Sequence, residues 1–501
     1  MSDATRSLLA AAMRRHGLGG GALAVVSRHG EPDFECAGLA DAKPARPVDP
    51  DTVFRIASIS KTMTAIGIMQ LRDRGLFDLD DPVNKYLTTI TVEPPSGGPV
   101  TFRHLLTHTS GIGELARVTD LVRREAWGQG KPRTGPADLA KIYGGTLHTD
   151  VAVGTKWAYA NHAFAVLGQL VEDISGEPFA EHMRTHLFDP LGMQHTEYQR
   201  TDRTAGRLAT GHHWLFSRFR AVNDYDLSLY GPGSVLSAAT DMARYAAWLA
   251  GRPSDPEPLA RVTLAEMMSP QFAVHPRMPG MGLAFWVDHL GSHRVAGHDG
   301  NVPGFASGLL VAPDEGVGVV ALTNTSSAMG AHLLARAALR EILGLPDEVA
   351  ELTSSTVVDA PNNYQELVGH YAPAPGFLTN ARSWQMLGGE VEVLVRDRRL
   401  VIRSLSPLEV LRKGVELHPI DPDELLYAAT AEGLVVPVAF GRTERGDVDR
   451  VILGPPSNSV LHRRSRMRSA RVRWRVARAA GVGLVATRIL LRRRTGGDGE
   501  K

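Results

Sequence analysis

Apolar and polar positions change period several times along the chain, and each change marks an expected element. Residues 22–39 hold two runs parted by a turn. ALAVVSRHG runs to a turn near Gly30 and Pro32, and DFECAGLA follows, which predicts an opening hairpin. From Ser58 to Arg74 the period is that of a helix, with Met63, Ile66, Ile68 and Met69 apolar and Gly75 at the stop position. A second helix is expected from Thr101 as N-cap through FRHLLTH, ending before Ser110-Gly111. A third starts at Ser237 as N-cap and runs through DMARYAAWLA to Gly251. Near residue 300 strands return. SGLLVAP and VGVVALTN, parted by Asp314-Glu315-Gly316, predict an antiparallel hairpin. Strands at both ends with helices between them predict an α+β layered domain over 1–350, its terminal strands sharing one antiparallel sheet.

The polar stretch ELTSSTVVDAPNN breaks the pattern and reads as a linker over 351–363. Beyond it, VEVLVRDRRLVIRS, KGVELHPI, ELLYAAT and LVVPVAFG predict a small all-β domain, barrel or sandwich, over 364–460. A basic tail over 461–501 completes the chain. Its longest uncharged run, Ala479 to Thr487, is far short of the ~20 residues that a spanning helix needs.

Composition adds three constraints. The chain has 501 residues, 43% hydrophobic and 22% charged, as in ordinary globular proteins with a large core. Cys36 is the single cysteine, which excludes an intramolecular disulfide and any multi-cysteine metal site. The first residues lack a basic start followed by an apolar run of signal-peptide length, because Arg14, Arg15 and His16 interrupt it. The catalytic part is therefore expected to be cytoplasmic. The overall charge of +1 hides an asymmetry. Twelve arginines and Lys501 against Asp498 and Glu500 give the tail +11, so the rest carries −10. Val472, Trp474, Val476, Val482, Leu484, Ile489 and Leu490 interleave with those arginines. The tail thus reads either as a basic interfacial helix on anionic lipid, peripheral to a membrane, or as a disordered solvated segment. The same charges attract nucleic acid only non-specifically, and nucleic acid is not the expected partner.

Three short constellations carry chemistry. Ser58-Ile59-Ser60-Lys61 places serine and lysine at i and i+3, one face of a helical turn. A serine hydroxyl needs a neighbour to take its proton, and a neutral lysine does so. Lysine titrates near 10.4 when unperturbed, so burial or nearby cations must lower that value. Tyr159-Ala160-Asn161 follows Gly154-Thr155-Lys156-Trp157. A tyrosine beside cations passes a proton as phenolate, and an asparagine two residues on can hold both the lysine and a substrate amide. Gly297-His298-Asp299-Gly300-Asn301 is a glycine-rich strand edge that lets a substrate approach the backbone. There the backbone N–H of Asn301, with that of Ser58, suits an oxyanion hole, where one donor is worth roughly 2.7–4 kcal/mol.

Together, FRIASISKTMTA, VTFRHLLTHTSGI, KWAYANHAFAVLGQLVE, DPLGMQHT, GSVLSAATDMARY and GHDGNVPGFASG resemble the β-lactamase-related serine hydrolases, over about residues 10–345. That family includes class C β-lactamases, D-alanyl-D-alanine carboxypeptidases, D-aminopeptidases and carboxylesterases. The resemblance implies the serine β-lactamase/transpeptidase fold, an antiparallel sheet flanked by helices plus a helical lobe. It makes Ser58 the nucleophile, Lys61 and Tyr159 the acid/base pair, and Asn161 an orienting group. His298-Asp299-Gly300 then stands where relatives carry Lys-Thr-Gly or His-Thr-Gly, and 364–455 resembles the small β-barrels appended to several members. No metal or organic cofactor is implied. The expected substrate is a small ester, amide or peptide.

Asp299 departs from the family pattern, because relatives that bind a substrate carboxylate often present a hydroxyl there. If it faces the site, an anion there repels such a carboxylate by about 1–4 kcal/mol, favouring neutral esters, amides or free amines over β-lactams. Acyl transfer to an alcohol or amine uses the same residues. A retired fold serving as a binding or membrane-associated module is the non-enzymatic alternative. Four histidine features receive structural readings. His104 and His108, at i and i+4, lack the glutamate that would complete a His-Glu-x-x-His zinc motif. His212-His213 is expected in a loop, and His162 and His195 as packing or capping residues.

Overall fold

The computed structural model describes residues 1–465, apart from 118–119, 121–128, 132–134, 216–217, 355–363, 405, 407–408 and 432. The chain forms two compact units. Met1–Ser354 joins with Pro375–Ala381, and the remainder forms the second.

In the first unit, β1 (Gly20–Ser27), β2 (Asp33–Ala42) and β3 (Ala45–Pro47) follow the helix α1 (Asp3–His16). Much later in the chain come β6 (Gly280–Met281), β7 (Trp286–Leu290), β8 (His293–Val302), β9 (Phe305–Ala312) and β10 (Val317–Thr323). They form one eight-stranded sheet in the order β6-β7-β8-β9-β10-β1-β2-β3. Its pairs are antiparallel, and β1 lies beside β10 with Ala24 opposite Val320. The expected union of first and last strands is thus present. Period two explains its burial. On β1 and β10, Ala22, Ala24, Val320 and Leu322 belong to the main core, whereas Leu23, Val319 and Ala321 pack with Leu9 of α1 and Leu334 and Leu339 of α8 (Ala328–Ile342).

Between the strand groups lie the helices that build the site: α2 (Ser60–Asp73), α3 (Phe102–Leu106), α4 (Asn161–Ser175), α5 (Phe179–Met183), α6 (Tyr230–Gly233) and α7 (Ala239–Leu249). Two short strands, β4 (Val53–Arg55) and β5 (Leu236–Ala238), pair beside them. α2 is buried from Ser60 to Leu71 and ends at Gly75, whose φ is 76°. Each fully buried Ile or Met there contributes about 1.5–3 kcal/mol. Thr101 caps α3 in a capping box with His104.

Two local expectations are corrected. Ser237 is not the cap of α7. It ends up inside β5 with its hydroxyl 2.7 Å from that of Thr196, and the N-cap is Ala238. Pairing of β5 with β4 outweighed its capping preference. His212-His213 is not a loop but part of a strand, His212–Leu215, that pairs with Arg218–Ala221.

The second unit is a closed antiparallel barrel of β11 (Gly369–Pro373), β12 (Val391–Arg396), β13 (Arg399–Ser404), β14 (Val415–Asp421), β15 (Leu426–Ala431), β16 (Leu434–Arg442), β17 (Val448–Leu453) and β18 (Ser459–Arg464). Tyr371, Val393, Tyr427 and Val451 fill its interior. β18 extends past residue 460 into the basic stretch, because closure requires it to pair with β11, His370 opposite Arg464. Of the expected linker, 351–354 belong to a helix, Glu348–Ser354. Residues 355–363 lie outside the described residues, as do the tail positions from Val472 to Leu490. No described helix is long and apolar enough to cross a membrane.

Candidate active site

Ser58 stands at the centre of a 3-10 turn, Ala57–Ile59, which joins β4 to α2. Ala57 holds φ at 49°, a left-handed conformation that a non-glycine residue adopts only when its surroundings impose it. Here they do. The Ile56 carbonyl accepts from the Ser307 hydroxyl at 2.8 Å, and the Ile56 N–H donates to Val235 O at 3.1 Å. The Ser60 hydroxyl donates to Ala57 O at 2.6 Å and accepts from Val235 N–H at 3.1 Å. The turn is therefore tied to β9 and to the approach of β5, and Ser58 itself stays partly exposed.

Lys61, one turn on, is fully buried. Its ammonium donates to Ser58 Oγ at 3.0 Å, to Asn161 Oδ1 at 2.8 Å and to the Pro232 carbonyl at 2.7 Å. As an ammonium the nitrogen donates to all three oxygens; as a free amine it donates to Asn161 and Pro232 and accepts from the Ser58 hydroxyl. The same nitrogen lies 4.8 Å from the Tyr159 ring centre and 5.6 Å from that of Phe164. Asn161 is the first residue of α4, whose apolar face fixes its direction. Pro232 O was not foreseen. It is delivered by α6, which packs so tightly on α4 that a Cβ on Gly231 would meet Phe164 O at 2.0 Å. The paired glycines of YGPG, which permit that close approach, are the one trace of it in the sequence.

Tyr159 is buried and backed by aromatic rings. His108 lies 4.5 Å behind it, centre to centre, with its Nδ1 accepting from Ala160 N–H at 3.1 Å. Trp157, Tyr159 and Met281 form a buried cluster against which Phe272, Val274 and Trp286 pack. His104 and His108 are thus engaged separately, His104 as a capping residue and His108 as support for the tyrosine. His162 packs inside α4 with its Nδ1 2.9 Å from Tyr143 OH, and burial pushes its pKa down to about 4. The His195 N–H meets Asp241. Lys156 turns to Asn380 and Thr379, and burial, against the pull of Asp150, lowers its pKa to about 8.

The third constellation lies on β8. His298 is buried, 6.2 Å from Tyr159 between ring centres, with Nδ1 2.6 Å from Asp299 O. A carbonyl only accepts, so Nδ1 carries the proton. Gly300 faces the nucleophile turn, where a Cβ would come within 2.2 Å of Ile56 O. The two-residue turn Pro303-Gly304 makes Val302 and Phe305 the hydrogen-bonded pair at the hairpin end. The next pair, Asn301 opposite Ala306, is then non-bonded, and the Asn301 N–H points away from β9.

Asp299 alternates to the opposite face. Its carboxylate meets His332 Nδ1 of α8 at 2.9 Å. Burial works against the charge, yet His332, His298 and Arg336 outweigh it and hold the Asp299 pKa below the usual range. His332 is correspondingly raised, since Asp299 overcomes the effect of its burial. The expected repulsion of a substrate carboxylate is therefore corrected. The charge is turned towards α8 and neutralised there, as the period of two dictates once His298 faces inward.

Comparison with known proteins gives the family and the fold. The family model described as Beta-lactamase matches residues 5–343. The putative penicillin-binding protein PbpX of Bacillus subtilis (strain 168) is 31% identical over 213 residues, 42% of this chain and 49% of that protein. The esterase EstB of Burkholderia gladioli is 35% identical over 187 residues, 35% of this chain and 46% of that protein. The chain spans about half the length of the curated relatives it matches. Among solved structures, the octameric penicillin-binding protein homologue from Pyrococcus abyssi covers 92% of this chain and 100% of its own. Its TM-score is 0.60 at 22% identity, a likeness of fold.

Proposed function

The chain belongs to the beta-lactamase family, and from that premise we propose a serine hydrolase that cleaves an ester or amide through an acyl-enzyme on Ser58. The observation that carries this reading is Lys61 Nζ, fully buried and 3.0 Å from Ser58 Oγ, held there by Asn161 and Pro232.

In acylation, neutral Lys61 takes the Ser58 proton while Oγ attacks the acyl carbon. The backbone N–H groups of Ser58 and Asn301 receive the oxyanion. Collapse breaks the bond to the leaving group, which departs with a proton passed from Lys61 through Tyr159. Water then attacks the acyl carbon and gives its proton to Tyr159, which passes its own through Lys61 to Ser58 Oγ as the ester bond to Oγ breaks and the acid leaves.

His298 and the apolar wall of Trp157, Met281 and Trp286 face the substrate. Asp299, turned to His332, neither repels nor hydrogen-bonds a substrate carboxylate. Uncharged esters and amides therefore fit the reading better than substrates that need a carboxylate anchor. An alcohol or amine in place of water would give acyl transfer, which product analysis with added acceptor separates from hydrolysis.

The test is intact mass after incubation with a fluorophosphonate probe, for wild type, Ser58→Ala and Lys61→Ala. One adduct on wild type, none on Ser58→Ala and labelling of Lys61→Ala slower by at least about a hundredfold are expected. Labelling of Ser58→Ala at the wild-type rate would assign a different serine. No adduct on the wild type would favour a binding module.

A further inference from the structure

On the far side of the helical lobe, three side chains converge that the reaction does not use. α4 ends at Gly176, and the next residue is Glu177. His182 lies on α5, and His186 on the single π-helical turn, Arg184–Phe188, that continues it. Glu177 Oε2 is 2.8 Å from His182 Nδ1 and 3.1 Å from His186 Nε2. The three donor atoms lie within 4.8 Å of one another, and the two imidazole centres are 4.4 Å apart.

We infer that Glu177, His182 and His186 form a binding site for one divalent transition-metal ion, zinc by donor chemistry, that ties the end of α4 to α5. Two imidazole nitrogens and one carboxylate oxygen are a common zinc donor set. Around a tetrahedral zinc with bonds of 2.0–2.1 Å, neighbouring donors are about 3.3 Å apart, so the observed 2.8 and 3.1 Å to Glu177 widen slightly and the two imidazole nitrogens, within 4.8 Å of each other, close inward. Glu177 and His186 are partly exposed, which leaves an entry route and a fourth position for water.

The backbone that carries these donors is anchored. Gln70 of α2 donates to the His186 carbonyl at 2.6 Å and to the Pro258 carbonyl at 2.9 Å. Met183 packs against Gly67, and Glu172 accepts from Phe179 N–H at 2.9 Å. His182 is wholly buried, and its Nε2 has no hydrogen-bond partner, so Glu177 alone orients the ring. His182 Nδ1 is the ring nitrogen that faces Glu177, and so the one offered to a metal. The opposing charge is Arg74, whose Nη2 lies 3.5 Å from His186 Nδ1. That guanidinium is exposed at the end of α2 and is free to turn outward. A π-helical turn is itself uncommon and recurs at functional positions. Twelve residues of helical rise, about 18 Å, separate Gln70 from Ser58, so the metal would act on the fold rather than on the acylation chemistry.

The experiment is isothermal titration of the full chain, stripped with EDTA and dialysed, with zinc chloride, followed by thermal unfolding. Wild type should bind one equivalent saturably, and its midpoint should rise. His186→Ala and Glu177→Gln, both at partly exposed positions, should bind at least tenfold more weakly and lose the rise. Fluorophosphonate labelling of Ser58 should remain unchanged in both. Equal zinc affinity and stoichiometry in the variants, or no saturable binding by wild type, would overturn the site.

Discussion

Asp299 shows how much a single residue's meaning depends on the face it occupies. In the sequence it is an anion inside a substrate motif, whereas in the sheet it is the partner of His332. The pair has a defined pH signature. The raised His332 pKa contributes stability that is full below about pH 6.5 and is lost as pH rises through its folded value. The lowered Asp299 pKa contributes stability that is present above about pH 3.9 and is lost as pH falls through its folded value. Both contributions are present together between about pH 4 and 6.5. His332→Gln should therefore cost roughly 1–2 kcal/mol in that window, and less as pH rises above it. The cost is held below that of a fully buried pair because Asp299 is 35% exposed. Chemical denaturation across pH 5 to 9 checks this, and a constant difference would refute it. His332 was not legible beforehand, since a histidine on an amphipathic helix gives no hint of which strand residue it will meet. His108 was legible only as part of a motif, and its support of Tyr159 needed the folded backbone.

At the scale of elements, the decisive object is the turn between β4 and α2. Its sequence, FRIASISK, predicts a helix from Ser58, but the helix proper starts at Ser60 and the nucleophile lies in the preceding 3-10 turn. Local propensity cannot set that difference, because contacts from β9 and the approach of β5 hold Ile56 and Ala57 in place. Gly300 is the matching half. A methyl group there would fall 2.2 Å from Ile56 O and 2.3 Å from Ser307 Oγ, the two atoms that hold the turn together. Gly300→Ala should slow fluorophosphonate labelling at least tenfold and destabilise the fold by about 1–3 kcal/mol. Gly98→Ala, where nothing lies within 4 Å, is the control and should change neither. Wild-type labelling by Gly300→Ala would remove the argument that this close approach builds the site.

At the scale of the whole molecule, the first unit contains residues from two separated parts of the chain. Pro375–Ala381 belongs to it by contact although β11 of the barrel precedes it in sequence. Asp150 accepts from Thr379 N–H at 2.8 Å and from its hydroxyl at 2.7 Å, and Lys156 meets Asn380. Asp150→Ala should then cost about 1.5–3 kcal/mol in the full chain, the range for hydrogen bonds to a charged group. In a chain ending at Ser354 it should cost much less, because the partners are gone. Equal destabilisation in the two, measured by denaturant unfolding, would mean that the segment does not couple to Asp150. The expected boundary at 350–364 could not anticipate this return, since composition marks where periodicity stops and not where a later loop docks.

Periodicity and punctuation by themselves determined the opening hairpin, the β9–β10 hairpin, the α+β class and the β-rich second unit. Each depends on burying one face of a local element, a constraint written into consecutive residues. The order Ser-x-x-Lys, Tyr-x-Asn, His-Asp-Gly named Ser58, Lys61, Tyr159, Asn161 and His298. The tertiary structure decided what those residues touch. It put Pro232 O on Lys61, turned Asp299 away to His332, set Ala57 at positive φ, and gathered Glu177, His182 and His186 where the end of α4 meets α5 and the π-helical turn after it. Those outcomes depend on contacts between residues far apart in the chain, whose distances exist only after the sheet and the lobe have closed on one another.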